Sequence, residues 1–116
     1  NDKVNLAAKL EQIKDYRSPR TVAQLNNLDV MVVKVKDEFV WHKHDDTDDF
    51  FLVLKGTLTI QLRDRNIDLQ EGEIFVVPKG VEHCPIANEE AHVMIIEPSG
   101  TPNTGNEATA KPRQVI

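Results

Sequence analysis

Cysteine is nearly absent from this chain: Cys84 is the only one among 116 residues, so no internal disulfide can form and a reducing cytoplasm is the expected location. Basic residues are also few, since 14 Lys and Arg face 19 Asp and Glu for a net charge of −5. Without a basic stripe, neither nucleic acid nor an anionic membrane is an expected partner. No apolar run approaches the roughly 18 residues that a membrane span needs, and no signal-peptide core opens the chain.

What the chain does have is a series of short β-strand patterns separated by turns. Leu58, Ile60 and Leu62 alternate with polar residues, as in a strand with one buried face, whereas residues 50–55 form a nearly continuous apolar run, as in a strand buried on both faces. Strands are predicted at 30–35, 39–44, 50–55, 58–62, 67–69, 74–77, 82–86 and 91–97, with a polar loop at 87–90. Such spacing predicts an all-β sandwich or barrel.

The two ends of the chain differ from this pattern. Apolar residues near a common helical stripe within 3–15 predict a short N-terminal helix, closed by Ser18-Pro19. After Pro98 the composition shifts to Gly, Pro, Thr and Asn, which predicts an irregular tail. We therefore expect one domain over 1–116, with a helical appendage at 1–18, a barrel at 20–98 and an irregular tail at 99–116.

Three of the four histidines fall in two short polar blocks. His42 and His44 are two residues apart, so on a strand both imidazoles point to the same face. Asp49 follows in the same block, and His83 lies in the second block after a Pro-Lys-Gly turn. Three imidazoles and a carboxylate from neighbouring strands can form a binding site for a divalent transition metal.

These blocks resemble the two sequence motifs of the cupin superfamily, and the chain is similar to small single-domain bacterial cupins (cupin type 2), which are often labelled mannose-6-phosphate isomerase-like. The first block runs His42, His44, Asp49 and Gly56, and the second runs Gly72, Pro78, Gly80 and His83. The first block lacks the leading glycine and has Asp49 where the family usually has Glu, and Asn88 lies one position later than the usual Asn.

The resemblance implies a double-stranded β-helix (cupin or jelly-roll barrel) with the helix packed outside. It also implies a divalent transition metal (Fe, Mn, Ni, Co, Cu or Zn) held by His42, His44, Asp49 and His83. Such a site leaves open positions for metal Lewis-acid or oxygen chemistry on a small, oxygen-rich molecule, as in isomerases and dioxygenases. The competing interpretation is a non-catalytic module that binds or senses a small ligand or a metal. A homodimer is expected, because small cupins commonly pair and because the 50–54 run has two apolar faces.

Two residues keep open alternatives. Asp49 is one methylene shorter than Glu, so it either coordinates a metal directly or acts through a water molecule beside three histidines. His92 lies in an apolar strand, and its interpretations are a packed histidine or a residue that supports the metal ligands or transfers protons. No phosphate-binding loop or Lys/Arg cluster lies within the two blocks, which disfavours a sugar-phosphate substrate.

Overall fold

The structure, a computed structural model, describes residues 2–110 and 113–116 of the chain. It is all-β with one short helix, as predicted from the sequence. In chain order the elements are α1 (Leu6–Glu11), β1 (Arg20–Leu25), β2 (Leu28–Glu38), β3 (Asp49–Lys55), β4 (Leu58–Leu62), β5 (Asn66–Leu69), β6 (Ile74–Val77), β7 (His83–Pro98) and β8 (Gln114–Val115).

Strand β7 connects the two layers of the fold. Strand β2 pairs antiparallel with most of β7, and on the other edge of β7 its first residues pair with β4 and its later residues pair with β3. Beyond these pairs, β5 lies next to β4, β6 next to β3, and β1 next to β2. The two ends of β7 therefore belong to different groups of strands, which brings His83 and Glu97 of one strand to the same interior.

The predicted division of this region into strands at 82–86 and 91–97 is wrong, because β7 is continuous. The polar residues between Ala87 and Ala91 form a bulge: Ala87 pairs with Asp37 and Ala91 pairs with Val35, so β7 has extra residues here. Residues 88–90 lie here opposite a single residue of β2, and all three are solvent-exposed. Their polarity marks a bulge that bends the strand rather than a loop that ends it.

The predicted strand at 39–44 is also wrong. Strand β2 runs on to Glu38, and the following segment contains one isolated bridge, between His42 and His83. This bridge is made by two backbone hydrogen bonds, with N···O distances of 3.0 and 2.9 Å. The two histidines are thus held together by their own main chains, although the surrounding segment is irregular.

The interior is filled by alternate side chains of the strands, as the period-two patterns predicted. The buried set comprises Val33, Phe51, Val53, Leu58, Ile60, Leu69, Val77, Ala87, Ala91 and Val93. On the opposite face of β2, Val32 is fully buried beneath Leu10 and Ile13 of the N-terminal segment. The helix is shorter than the 3–15 window, begins at an Asn5 cap whose side chain accepts from the Ala8 amide, and packs outside the strands.

The C-terminal segment is less irregular than predicted. Residues 99–110 form turns, but Gln114 and Val115 add a short parallel strand to β1. Gly105 lies so close to the backbone of Lys43 that no Cβ could be accommodated there. The segment therefore passes over the part of the chain that carries His42 and His44.

Candidate metal centre

The structure brings the four predicted ligand residues together. His42 and His44 come from the irregular segment after β2, Asp49 is the first residue of β3, and His83 is the first residue of β7. One donor atom from each residue can be chosen so that all four lie within 4.8 Å of one another, and all four residues are buried. Residues from three separate parts of the chain thus converge on one point in the interior.

Two of the imidazoles are oriented by backbone carbonyls. His42 Nδ1 lies 2.9 Å from the carbonyl oxygen of Val40, and His83 Nδ1 lies 3.0 Å from that of Val81. Since a carbonyl can only accept a hydrogen bond, Nδ1 carries the proton in each ring and Nε2 keeps its lone pair. This arrangement fixes the ring orientation and leaves a nitrogen donor in each ring.

Several polar atoms at the centre of the cluster lack partners. Asp49 Oδ2 lies 3.3 Å from His44 Nε2 and 3.8 Å from His83 Nε2. Within the described part of the chain, His44 Nε2, His83 Nε2 and Asp49 Oδ1 are buried without a hydrogen-bond partner. Buried polar atoms without partners cost folding free energy, so their convergence indicates that another group satisfies them.

A fifth residue, Glu97, lies beside the cluster and was not predicted as part of it. Its Oε2 is 3.6 Å from His44 Nε2, and its Oε1 is 3.2 Å from Arg113 of the C-terminal segment. Arg113 also pairs with the buried Asp29 at 2.8 Å and donates to the carbonyl oxygen of Thr101. The one sequence signal for Glu97 was a charged residue at the end of an apolar strand; its link to Arg113 spans 16 residues and needed the fold.

Burial changes the protonation of these groups. Burial, assisted by the neighbouring imidazoles, lowers the pKa of His42 from 6.5 to about 4, so this ring is neutral at physiological pH. Burial and the adjacent Asp49 raise the pKa of Glu97 to about 10. Burial opposes ionisation of Asp49 as well, but the adjacent His44 and His83 rings and the neighbouring Glu97 outweigh it and lower the pKa of Asp49. A neutral His42 ring beside the ionised Asp49 carboxylate matches the protonation states that a metal cation requires of its ligands.

His92 does not join this cluster. It lies on the face of β7 opposite to Ala91 and Val93, which are buried in the core. Its Nε2 is 2.8 Å from Glu90 Oε2, at the bulge. Nothing in this placement supports the idea that His92 assists the metal ligands, and the packed-histidine interpretation fits its position better.

A cavity opens from the cluster. It is bounded by His42, Asp49 and Glu97 together with Arg17, Asp37 and Asn103. Its other walls are apolar: Pro19, Val33, Val35, Phe39, Phe51, Leu58, Pro85, Val93 and Ile95. The cluster is thus accessible to a small molecule whose body contacts mainly hydrocarbon.

No helix in the described residues is long and apolar enough to cross a membrane.

Comparisons with known proteins place the chain among proteins of the same fold. A crystal structure of a cupin-2 domain containing protein from Shewanella frigidimarina is 52% identical, with a TM-score of 0.81 over 82% of this chain and 93% of that one. Uncharacterized protein YdbB of Bacillus subtilis is 30% identical over 68% of this chain and 71% of its own length. A 3-hydroxyanthranilate 3,4-dioxygenase of Brucella anthropi is 33% identical over 64 residues. This match covers 48% of this chain and 35% of the length of that protein.

These likenesses confirm the expected jelly-roll fold, the double-stranded β-helix. The sequence model of the cupin domain family matches residues 29–99. This region is more than half of the chain and contains His42, His44, Asp49 and His83. The chain belongs to the cupin domain family.

Proposed function

We propose that the protein binds a divalent transition metal through His42, His44, Asp49 and His83, and acts with it on a small molecule in the adjoining cavity. The observation that carries the proposal is the set of buried donor atoms without partners at the point where these residues converge. A cation would satisfy the imidazole lone pairs and the carboxylate together. Water alone would pair with these atoms but would not offset the charge of Asp49.

The spacing of the donors is suited to direct coordination by Asp49. Two ligand atoms about 2.1 Å from one ion and at right angles to each other lie about 3 Å apart. The Asp49 carboxylate, at 3.3 Å from His44 and 3.8 Å from His83, needs only a small contraction to reach this separation. This supports the direct role of Asp49 over the role through a water molecule, because its shorter side chain already extends into the cluster.

A metal with open coordination positions supplies Lewis-acid polarisation of an oxygen substituent or activation of dioxygen. The residues of the chain have the other tasks. The carbonyls of Val40 and Val81 accept from the Nδ1 atoms of two imidazoles and so orient their Nε2 atoms as donors, and Glu97 holds a proton beside the ligands. The similarity to a dioxygenase favours oxygen chemistry over isomerisation, while the imidazole–carboxylate set accommodates Fe, Mn, Ni, Co, Cu or Zn.

We also propose that the protein is a cytoplasmic homodimer that pairs through the outer face of its β6–β3–β7 strands. This face carries Phe50, Leu52, Ile74, Val76, Met94 and Ile96, which lie on adjacent strands in register. Ile74 is 56% and Val76 is 43% exposed, an unusual exposure for neighbouring apolar side chains. Sedimentation velocity should give twice the mass of 13.1 kDa, and a monomer at micromolar concentration would refute the pairing.

Metal titration of chelator-treated protein tests the main proposal. In calorimetry with Co²⁺, Zn²⁺ and Mn²⁺, we expect His83→Asn to lower affinity for the bound metal by at least about tenfold, because one ligand is lost. His92→Asn is the matched control, since it removes the histidine outside the cluster, and it should leave the affinity unchanged. Equal effects of the two substitutions, or no binding of any of the metals by the wild type, would refute the site.

The role of Asp49 and the reaction need separate measurements. Asp49→Glu should weaken binding if Asp49 coordinates directly, because the longer acid crowds the site; tighter binding would indicate that Asp49 acts through water. An activity screen of the metal-loaded protein with candidate substrates, with substrate turnover and oxygen uptake both monitored, separates an enzyme from a binding module. Binding without consumption of any oxygen-bearing substrate would favour the non-catalytic alternative.

A further inference from the structure

Arg17 lines the cavity and lies on the segment between α1 and β1. Its backbone is in the left-handed region, with φ 61°, a conformation that non-glycine residues rarely adopt. Two contacts hold it there: the Arg17 amide donates to the Lys34 carbonyl at 2.8 Å, and one guanidinium nitrogen donates to the Lys36 carbonyl. A conformation of this kind persists only when its surroundings enforce it, and such residues cluster at functional sites.

The charge of Arg17 has no carboxylate partner within the part of the chain that the structure describes. The arginines with ion pairs there are Arg20, Arg63 and Arg113. Arg17 is half-buried and lines the cavity that also contains His42 and Asp49. Of the described lining residues, it is the one with a permanent positive charge. A half-buried guanidinium facing an apolar cavity can bind an anion more strongly than a fully hydrated one can.

We propose that Arg17 binds the anionic group of the substrate, and that the substrate is a small monocarboxylate with an apolar body and an oxygen substituent for the metal. This inference rests on the proposed function and narrows its substrate class. The apolar walls, Val33 and Phe51 among them, contact the body of the molecule. The guanidinium matches a carboxylate through parallel N–H···O bonds, as this pairing does elsewhere in proteins.

A dianion such as a phosphate ester fits the cavity less well. One guanidinium nitrogen already donates to the backbone, so fewer N–H groups remain for a ligand. Asp37, also at left-handed φ, lines the same cavity. Its negative charge repels a ligand with two negative charges more strongly than a ligand with one. Arg17 thus provides an anion site, which the two histidine blocks lack. This site is suited to a ligand with a single negative charge.

The test uses benzoate and its neutral isostere benzamide as probes. Calorimetric titrations are made with protein that has been treated with chelator and dialysed, at low ionic strength, so that neither a metal nor salt obscures the arginine. We expect wild type to bind benzoate at least about tenfold more tightly than benzamide. Arg17→Asn should abolish that preference, since Asn tolerates left-handed backbone and carries no charge.

Arg65→Asn is the matched control, because Arg65 is exposed at the β4–β5 turn, has no ion pair in the described residues and lies outside the cavity lining. It should leave the preference for benzoate unchanged. Arg17→Gln is the second neutral variant if Arg17→Asn does not fold. The proposal is overturned if wild type shows no preference or binds neither probe, or if both neutral variants keep the preference for benzoate.

The metal titration described above is independent of these outcomes. Benzoate selectivity without metal binding would uphold the anion site and refute the proposed metal function. Metal binding without benzoate selectivity would uphold the proposed metal function and refute the anion site.

Discussion

Burial of His42 makes the free energy of unfolding depend on pH. The ring is buried among His44, His83 and Asp49, and its Nδ1 donates to the Val40 carbonyl. Burial lowers the pKa of His42 from 6.5 to about 4. The perturbation is His42→Asn, which keeps a side-chain nitrogen that can donate to Val40 but does not titrate.

The sign and size of the effect follow from proton linkage. Between pH 6.5 and about 4, the unfolded chain binds a proton at His42 that the folded protein does not bind, so the free energy of unfolding falls as pH falls. One pKa unit corresponds to about 1.4 kcal/mol. From about pH 7 to about pH 4.5, the His42 contribution is therefore a loss of about 2 kcal/mol. Stability from this group is fully present above pH 6.5.

Urea denaturation of chelator-treated wild type and His42→Asn at both pH values measures this contribution. Glu97, whose pKa is raised to about 10 by burial and Asp49, contributes with the opposite sign, because its folded form keeps a proton that the unfolded chain loses as pH rises. Since Glu97 is present in both proteins, the difference between them isolates His42. The stability advantage of wild type over the variant should shrink by about 2 kcal/mol at the lower pH. A constant difference would refute the argument that burial keeps His42 neutral.

Three further substitutions test contacts that stabilise the fold. Arg113→Met leaves the buried Asp29 without its cationic partner and should cost about 2 kcal/mol, or about 8 °C in Tm by calorimetry; a Tm within about 2 °C of wild type would contradict this. Gly56→Ala should destabilise by more than Gly72→Ala in urea denaturation. Both residues have φ near 80°, but a Cβ at Gly56 meets the Glu90 carbonyl oxygen at 3.1 Å, whereas a Cβ at Gly72 has open space. Equal costs would show that backbone conformation alone matters at Gly56.

The fold class and the members of the cluster could be predicted from local sequence patterns. Alternating apolar residues such as Leu58 and Ile60 predicted the strands, and the confirmed all-β fold follows from this local periodicity. The spacing of His42, His44 and His83 singled out the residues that the structure brings together. These features were predictable because each depends on residue type and short separation along the chain.

The way in which these parts are joined depends on strand pairing over long sequence separations. Polar residues 88–90 predicted a loop, but pairing with β2 on both sides of them keeps β7 continuous. The cost of an irregular, exposed bulge is outweighed by backbone hydrogen bonds before and after it. The segment containing His42 has strand-like residues, yet its one bridge is to His83, because β7 begins at His83 and has no earlier strand residues to pair with the rest of the segment.

The surroundings of the cluster were also decided by the fold alone. Glu97, Arg113 and Arg17 lie far from the histidine blocks in sequence, and no local pattern connects them. Glu97 reaches His44 because β7 spans both layers, Arg113 reaches Glu97 because β8 pairs with β1, and Arg17 lines the cavity because its amide bonds to β2. Residue type and spacing thus identified the groups that can bind a metal. Long-range strand pairing determined which charged residues surround the cluster, because charge interactions depend on distances in space.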